Sequence, residues 1–309
     1  MPKKKMRVTG LGQCSADFLL GLDEFPLEDT KPEATSFLTQ GGGPVATALV
    51  ALSRLNVSTN FLGVVGDDTA GADIIRGLKA ERVDTKGLRI RKGKESQKAF
   101  IIINEKNATR TVLWKRPTAA PLKASEVTES AIKNSSLLLL DGLMVKASIK
   151  ATRIAKKYNI PILFDAGRVR EGTTELIKVS DHIVGSEEFA KNLATTPTLA
   201  IRKVQEINKK ASSIVITLGK RGSVASIGRA VIRQSAFLVK VKDTTGAGDI
   251  FHAGYGFGII MGWDIEKTLE FASAFAALKC REIGGRGGIP TLSTTLRFIK
   301  KNNKTKCGS

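Results

Sequence analysis

Cysteine, histidine and tryptophan are scarce in this chain of 309 residues, which holds three, two and two of them. Cys14, Cys280 and Cys307 are odd in number and lack metal-ligand spacing. That excludes a disulfide framework and implies reduced thiols in a cytoplasm. His182 and His252 stand far apart in sequence, so no zinc site is expected. No apolar stretch approaches a membrane span, and the longest, such as Ile214 to Leu218, suit buried strands. Met1-Pro2-Lys3-Lys4-Lys5 is basic but lacks the apolar segment of a signal peptide. Aromatic residues make up only 6% of a chain whose net charge is +20. Its lysines and arginines are dispersed, with modest runs at Lys3 to Lys5 and Lys300 to Lys306, and no nucleic-acid-binding motif appears. No nucleic-acid or membrane partner is therefore expected. A basic nucleic-acid-binding protein is kept as the alternative from another class, to be separated by a gel shift at physiological salt.

With 42% hydrophobic residues the chain can bury a large core, as one big α/β domain or two smaller ones. Short apolar runs alternate with helical patterns. Strands are expected at Arg7 to Leu11, Leu137 to Leu140, Ile160 to Phe164, His182 to Val184 and Ser213 to Leu218. Helices are expected over Thr47 to Leu55, Ser148 to Tyr158 and Glu187 to Leu193. This βαβ rhythm predicts a mostly parallel sheet with helices on both faces. Ligands of such sheets gather at the carboxyl ends of the strands, where Asp141, Asp165, Ser186 and Gly219 fall. Two stretches break the rhythm with extended patterns, Ala34 to Gln40 and Lys98 to Trp114, the second with a turn at Asn104 to Asn107. One catalytic domain over residues 1–309 is expected, with these segments (about 34–40 and 98–116) inserted.

The most informative stretch is Asp243-Thr244-Thr245-Gly246-Ala247-Gly248-Asp249, followed by an apolar helical run from Ile250 to Met261. Small residues at a helix start let a ligand reach backbone N–H groups that have no intrahelical partner, and the helix dipole favours an anion there. A carboxylate in the same turn repels a resting anion. The conflict resolves if the amides hold phosphoryl oxygens while Asp249 takes a proton from an attacking hydroxyl. That outlines a kinase; a glycine-rich turn with a capping acid is the bland reading.

This stretch resembles the signature of the ribokinase/PfkB carbohydrate kinases. So do Gly41-Gly42-Gly43-Pro44-Val45-Ala46-Thr47-Ala48 and Phe61-Leu62-Gly63-Val64-Val65-Gly66-Asp67-Asp68, in order, and the similarity runs from about Val8 to Pro290. The resemblance implies a ribokinase-like, Rossmann-like α/β fold with a small β-lid that closes over the sugar and often joins dimer contacts. It implies an ATP-dependent sugar kinase; a nucleoside kinase of the same fold is the alternative. Asp249 would be the general base, with Gly246, Ala247 and Gly248 forming the anion hole through their N–H groups. Asp17 would bind two sugar hydroxyls at the end of the first strand, while Gly42 and Gly43 let the sugar approach the backbone. Asp243 and Thr245 lie where some relatives hold a monovalent cation such as K⁺, although Asp243 can equally cap the turn.

Thr217-Leu218-Gly219-Lys220-Arg221-Gly222 resembles the purine and ribose loop, which would put Thr217, Gly219 and Gly222 at ATP. The family's Asn-x-x-Glu element for water-mediated Mg²⁺ is altered, with Ser186 and Phe189 at its two positions. Glu187 or Glu188 then substitutes; Mg²⁺ itself is expected because phosphoryl transfer from ATP needs its charge. Arg168 follows Asp165 in an element resembling one of sugar-acid kinases, and Arg110 and Arg116 border the lid. If they face the sugar they suit a phosphate, carboxylate or sulfonate on it, and otherwise they are solvated. The Gly41-x-Gly43-x-x-Ala46 match to a dinucleotide fingerprint is a decoy, since it does not follow the first strand and position 66 is glycine, not an acid. No Gly-x-x-x-x-Gly-Lys-Ser/Thr occurs, which excludes a P-loop kinase.

Overall fold

The computed structural model describes residues 6–228 and 230–306; the basic Lys3 to Lys5 run and Cys307 lie outside them. The chain opens with β1 (Arg7–Leu11), β2 (Ser15–Leu22) and β3 (Ser36–Gly42), then α1 (Pro44–Arg54) and β4 (Ser58–Gly66). After α2 (Thr69–Ala80) come β5 (Val83–Asp84), β6 (Leu88–Arg91) and a hairpin of β7 (Lys98–Asn104) with β8 (Thr109–Lys115). The alternation resumes through α3 (Glu129–Ile132), β9 (Leu137–Leu140), α4 (Val145–Lys157), β10 (Ile162–Ala166) and α5 (Thr173–Val179). It continues with β11 (His182–Gly185), α6 (Glu187–Leu193), α7 (Pro197–Ile207), β12 (Ser213–Thr217), β13 (Ser223–Ile227) and β14 (Ala230–Gln234). Three helices close the chain: α8 (Ala247–Ile260), α9 (Ile265–Lys279) and α10 (Leu292–Lys306).

Ten strands form the main sheet in the order β14-β13-β12-β11-β10-β9-β1-β4-β5, with β6 also on β4. Its centre is parallel from β12 to β4, and the β13–β14 edge is antiparallel. Alternation sorts β9 between the two layers of core. Leu137 and Leu139 pack with α1, α8 and α9 residues such as Leu49, Tyr255 and Phe271, while Leu138 and Leu140 pack with Ala151, Ile201 and Phe189 on the other face. Both faces are covered, as the apolar strands predict.

Several boundaries move for local reasons. Strand β10 starts after Pro161, which has no N–H for a ladder, and ends at Ala166, so Asp165 lies within the strand. Helix α1 begins earlier than expected because Pro44 sits at its first turn, behind Gly43 at φ 94°. The larger correction concerns Asp17, which does not end the first strand. It lies inside β2, a strand unrecognised in the sequence, in a second sheet ordered β3-β2-β7-β8. That sheet is the lid. Its inner face buries Leu19, Ala99, Ile101 and Ile103 against Ile283 in the loop after α9.

Candidate active site

Parallel strands align their carboxyl ends, so Asp141, Asp165 and Ser186 meet on one edge of the sheet. They line a cleft of about 260 Å³ together with Pro44, Arg168 and Glu188. Beside it stands the N-terminus of α8, where Gly246 takes the left-handed conformation at φ 73°. A Cβ there would lie 2.8 Å from the Gly285 backbone, so the turn is pressed against the loop after α9. Gly248 is exposed, and a Cβ on it would meet nothing within 4 Å, leaving open space in front of the first-turn N–H groups. Ala247 drops out of the expected donor set, because its N–H donates to the Thr244 carbonyl at 3.1 Å.

Asp249 is part-buried in the first turn of α8. Burial pushes its carboxyl well above the usual range; the carboxylates of Asp165 and Asp17 push the same way, and Arg110 and Lys279 oppose them. Asp165 is itself raised by burial and restrained by His252 and Arg170. His252 Nε2 lies 3.3 Å from Asp165 Oδ1, and its Nδ1 lies 2.7 Å from the Gly248 carbonyl. The ring therefore ties the strand edge to the first turn of α8. Asp141 is pushed up to about 7 by burial, although it accepts the N–H groups of Gln13 and Leu143 at 2.7 and 3.0 Å.

On the lid side, Asp17 is buried, takes a 2.6 Å hydrogen bond from Ser15 Oγ, and is raised mainly by burial. A Cβ at Gly42 would sit 2.0 Å from Asp17 Oδ2, and one at Gly43 would sit 2.4 Å from the Gln13 carbonyl. These glycines make room for the carboxylate and the neighbouring chain. Arg286, missed in the sequence inside a glycine-rich stretch, is 6% exposed and lies behind Gly41. Burial brings its guanidinium down to about 10, against the field of Asp17. Its Nε and the Gln40 Nε2 are buried donors without a hydrogen-bond partner. Only its burial in the folded chain, within the field of Asp17, singles out Arg286.

The arginines of the lid and the strand edge separate. Arg110, on β8, reaches the turn before α8 and donates to Thr244 Oγ1 at 2.6 Å. Arg116 lies over the Trp114 ring at 5.0 Å. Arg168 joins the cleft of Ser186 and Glu188 and is paired with Glu188 at 2.8 Å. It is grouped with those residues, not with Asp17.

Ser186 caps α6, accepting the Phe189 N–H at 3.1 Å, while Phe189 is fully buried in the core. The Phe189 ring, at the position where the resembled element carries Glu, therefore belongs to the core. Of the two candidate substitutes, Glu188 lines the cleft, and Glu187 turns to Lys191 and Arg221 at 2.7 and 2.9 Å. Thr217 ends β12, with its hydroxyl on the Gly185 carbonyl at 3.3 Å. Gly219 and Gly222 follow with φ 56° and 84°, and a Cβ at Gly222 would strike the Gln234 carbonyl at 1.9 Å.

Asp243 is 1% exposed and fully engaged: Oδ1 accepts the Thr245 N–H and hydroxyl at 2.8 and 2.7 Å, and Oδ2 accepts the Gly284 N–H at 2.8 Å. The ammonium of Lys279 donates to the backbone carbonyls of Asp243 and Thr245.

Comparison with known proteins places this geometry in context. The model of the family described as pfkB family carbohydrate kinase matches residues 6–292. A ribokinase of Bacillus subtilis is 30% identical over 282 residues, covering 91% of this chain and 95% of the relative. A 5-dehydro-2-deoxygluconokinase of Clostridium perfringens is 29% identical, covering 98% and 95%. Among solved structures, Arabidopsis thaliana ribokinase complexed with ribose and ATP superposes with a TM-score of 0.81 at 23% identity, covering 96% and 99%.

Proposed function

The chain belongs to the pfkB family of carbohydrate kinases and is an ATP-dependent sugar kinase, and from that premise we propose how its residues divide the reaction. Asp249 takes the proton of the attacking sugar hydroxyl. The hydroxyl oxygen bonds to the γ-phosphorus of ATP as the bond from that phosphorus to the β,γ-bridging oxygen breaks, leaving ADP. The observation that carries this reading is one carboxylate, Asp249, in the first turn of α8, with open space over Gly248 and the Asp17 carboxylate in electrostatic reach. A base with a raised pKa suits proton abstraction near neutral pH, and the exposed first-turn amides stabilise the phosphoryl oxygens.

Asp17 would accept two adjacent sugar hydroxyls, with Arg286 Nε and Gln40 Nε2 as further donors to the acceptor. Thr217, Gly219 and Gly222 form the nucleotide loop. Mg²⁺ would neutralise phosphate charge, and the cleft carboxylates, Glu188 first, suit its water shell. The relatives act on ribose-type sugars and on a sugar acid by their names, so the acceptor is a free sugar or sugar acid, phosphorylated on a primary hydroxyl. We read residues 1–309 as one catalytic unit with an inserted lid, in a cytoplasm, where the buried free thiols of Cys14 and Cys280 stay reduced. Among the described residues no helix is long and apolar enough to cross a membrane. The outward face of the lid exposes Phe37, Phe100 and Leu113, which supports a homodimer through that face. A phosphorylation screen over pentoses, ketoses, sugar acids and nucleosides tests the reading. Turnover of sugars above nucleosides is expected, and transfer to nucleosides alone would replace it.

A further inference from the structure

A lysine inside an apolar helix end is costly to bury, because an ammonium leaves its hydration behind. Lys279 is 0% exposed at the last position of α9, and burial lowers its pKa. Its charge is compensated by carbonyl oxygens. Nζ donates to the Asp243 carbonyl at 3.2 Å and, more closely, to the Thr245 carbonyl, at the C-terminal end of a helix dipole and in the field of the Asp243 carboxylate.

These are the two residues at which a monovalent cation is expected beside the catalytic turn, and the donor set does not fit one. Both carboxylate oxygens of Asp243 already accept N–H or O–H groups, and the two backbone carbonyls already face a positive charge. We propose that the ε-ammonium of Lys279 is a tethered substitute for that cation, so that phosphoryl transfer by this protein needs no added K⁺.

The substitution has a mechanical consequence for the anion hole. In a trans peptide the C=O and the N–H of the next residue point in opposite directions across one plane. Drawing the Thr245 carbonyl onto Lys279 therefore aims the Gly246 N–H away from Lys279, and drawing in the Asp243 carbonyl does the same for Thr244. Lys279 is a positioning residue: it orients the turn that leads into α8, and its charge reaches Asp249 only through space.

The inference rests on the kinase reading but is tested apart from it. Wild-type protein and Lys279→Met, which keeps the side-chain length without the charge, are assayed with ATP, Mg²⁺ and the best acceptor in tetramethylammonium chloride, then titrated with KCl, NH₄Cl or NaCl. Wild-type turnover should not respond to K⁺. Lys279→Met should lose about 10²-fold in kcat, the scale of one lost anion-hole donor, and recover part of it with K⁺ or NH₄⁺. Melting curves in the same salts, without substrate, should show K⁺ raising the Tm of Lys279→Met but not of wild type. Severalfold activation of the wild type by K⁺ overturns the proposal, as does a folded Lys279→Met whose turnover and Tm ignore every cation. If the variant does not fold, the wild-type salt response alone decides. If no acceptor is phosphorylated at all, the kinase reading fails, and the melting curves still report on Lys279.

Discussion

Arg110 Nη1 lies 2.6 Å from the hydroxyl oxygen of Thr244, so a strand of the second sheet touches the turn before α8 directly. The two residues are 134 positions apart in the chain. The contact is exposed, so it contributes little to stability. Its importance is positional, because it brings a cation within the field of Asp249.

Changing Arg110 to Ala should therefore lower kcat/KM for the acceptor while leaving Tm nearly unchanged. The loss should be greater for a carboxylated sugar than for its neutral parent, since a guanidinium suits such a group. Steady-state kinetics on the two acceptors checks this, and equal losses would make Arg110 a lid contact without a part in specificity.

Asp249 and Asp17 should separate chemistry from binding. Asp249→Asn should reduce kcat by about 10²-fold or more, the usual scale of a general base, with little change in ATP affinity. Asp17→Ala should raise KM for the sugar far more than KM for ATP, since each lost charged hydrogen bond is worth about 1.5–3 kcal/mol.

The raised pKa of Asp249 has opposite consequences for rate and stability. The base must be ionised, so the acid limb of the kcat profile should lie above the ordinary carboxylate range. Stability from such a group is present below its unfolded pKa and lost as pH rises through the folded one. Asp249→Asn should then melt higher than wild type at neutral pH, and the difference should shrink as pH falls. Melting curves across pH measure it; a constant difference would show that burial does not penalise this carboxylate.

Two glycines of the turn should respond differently to alanine. Gly246→Ala forces a left-handed Cβ against the Gly285 backbone, so both Tm and kcat should fall. Gly248→Ala meets nothing within 4 Å beyond its own stretch of helix, so Tm should hold while turnover drops if that space receives the phosphoryl group as proposed.

Glu188→Gln should raise the Mg²⁺ concentration for half-maximal rate by about 10-fold, the lower range for outer-shell partners. Glu187→Gln should not, since Glu187 is held by Lys191 and Arg221 outside the cleft. A Mg²⁺ titration of both variants decides between them.

Much of this protein is legible in its residue order. The βαβ alternation, the buried strands from Leu137 and Ser213, and the turn before α8 depend on local periodicity and on small residues at a helix start, which neighbours in sequence specify. The lid was only half legible. The β7–β8 hairpin shows as two β-rich runs around the turn at Asn104 to Asn107, whereas β2 hides because Asp17 and Gly21 interrupt its apolar run and its partners lie in β3 and β7.

What tertiary structure alone decided is the electrostatic surroundings of Asp249. Lys279, Arg286 and Asp165 each sit on a different element, and only folding brings them toward the turn at 243–249. Sequence alone singled out Asp249 as the candidate proton acceptor, because that choice depends on a side chain and its helix position. Whether a free cation or a built-in ammonium steadies the turn depends on which charge is buried against two backbone carbonyls, and residues that meet across 34 to 36 positions carry no local pattern to announce it.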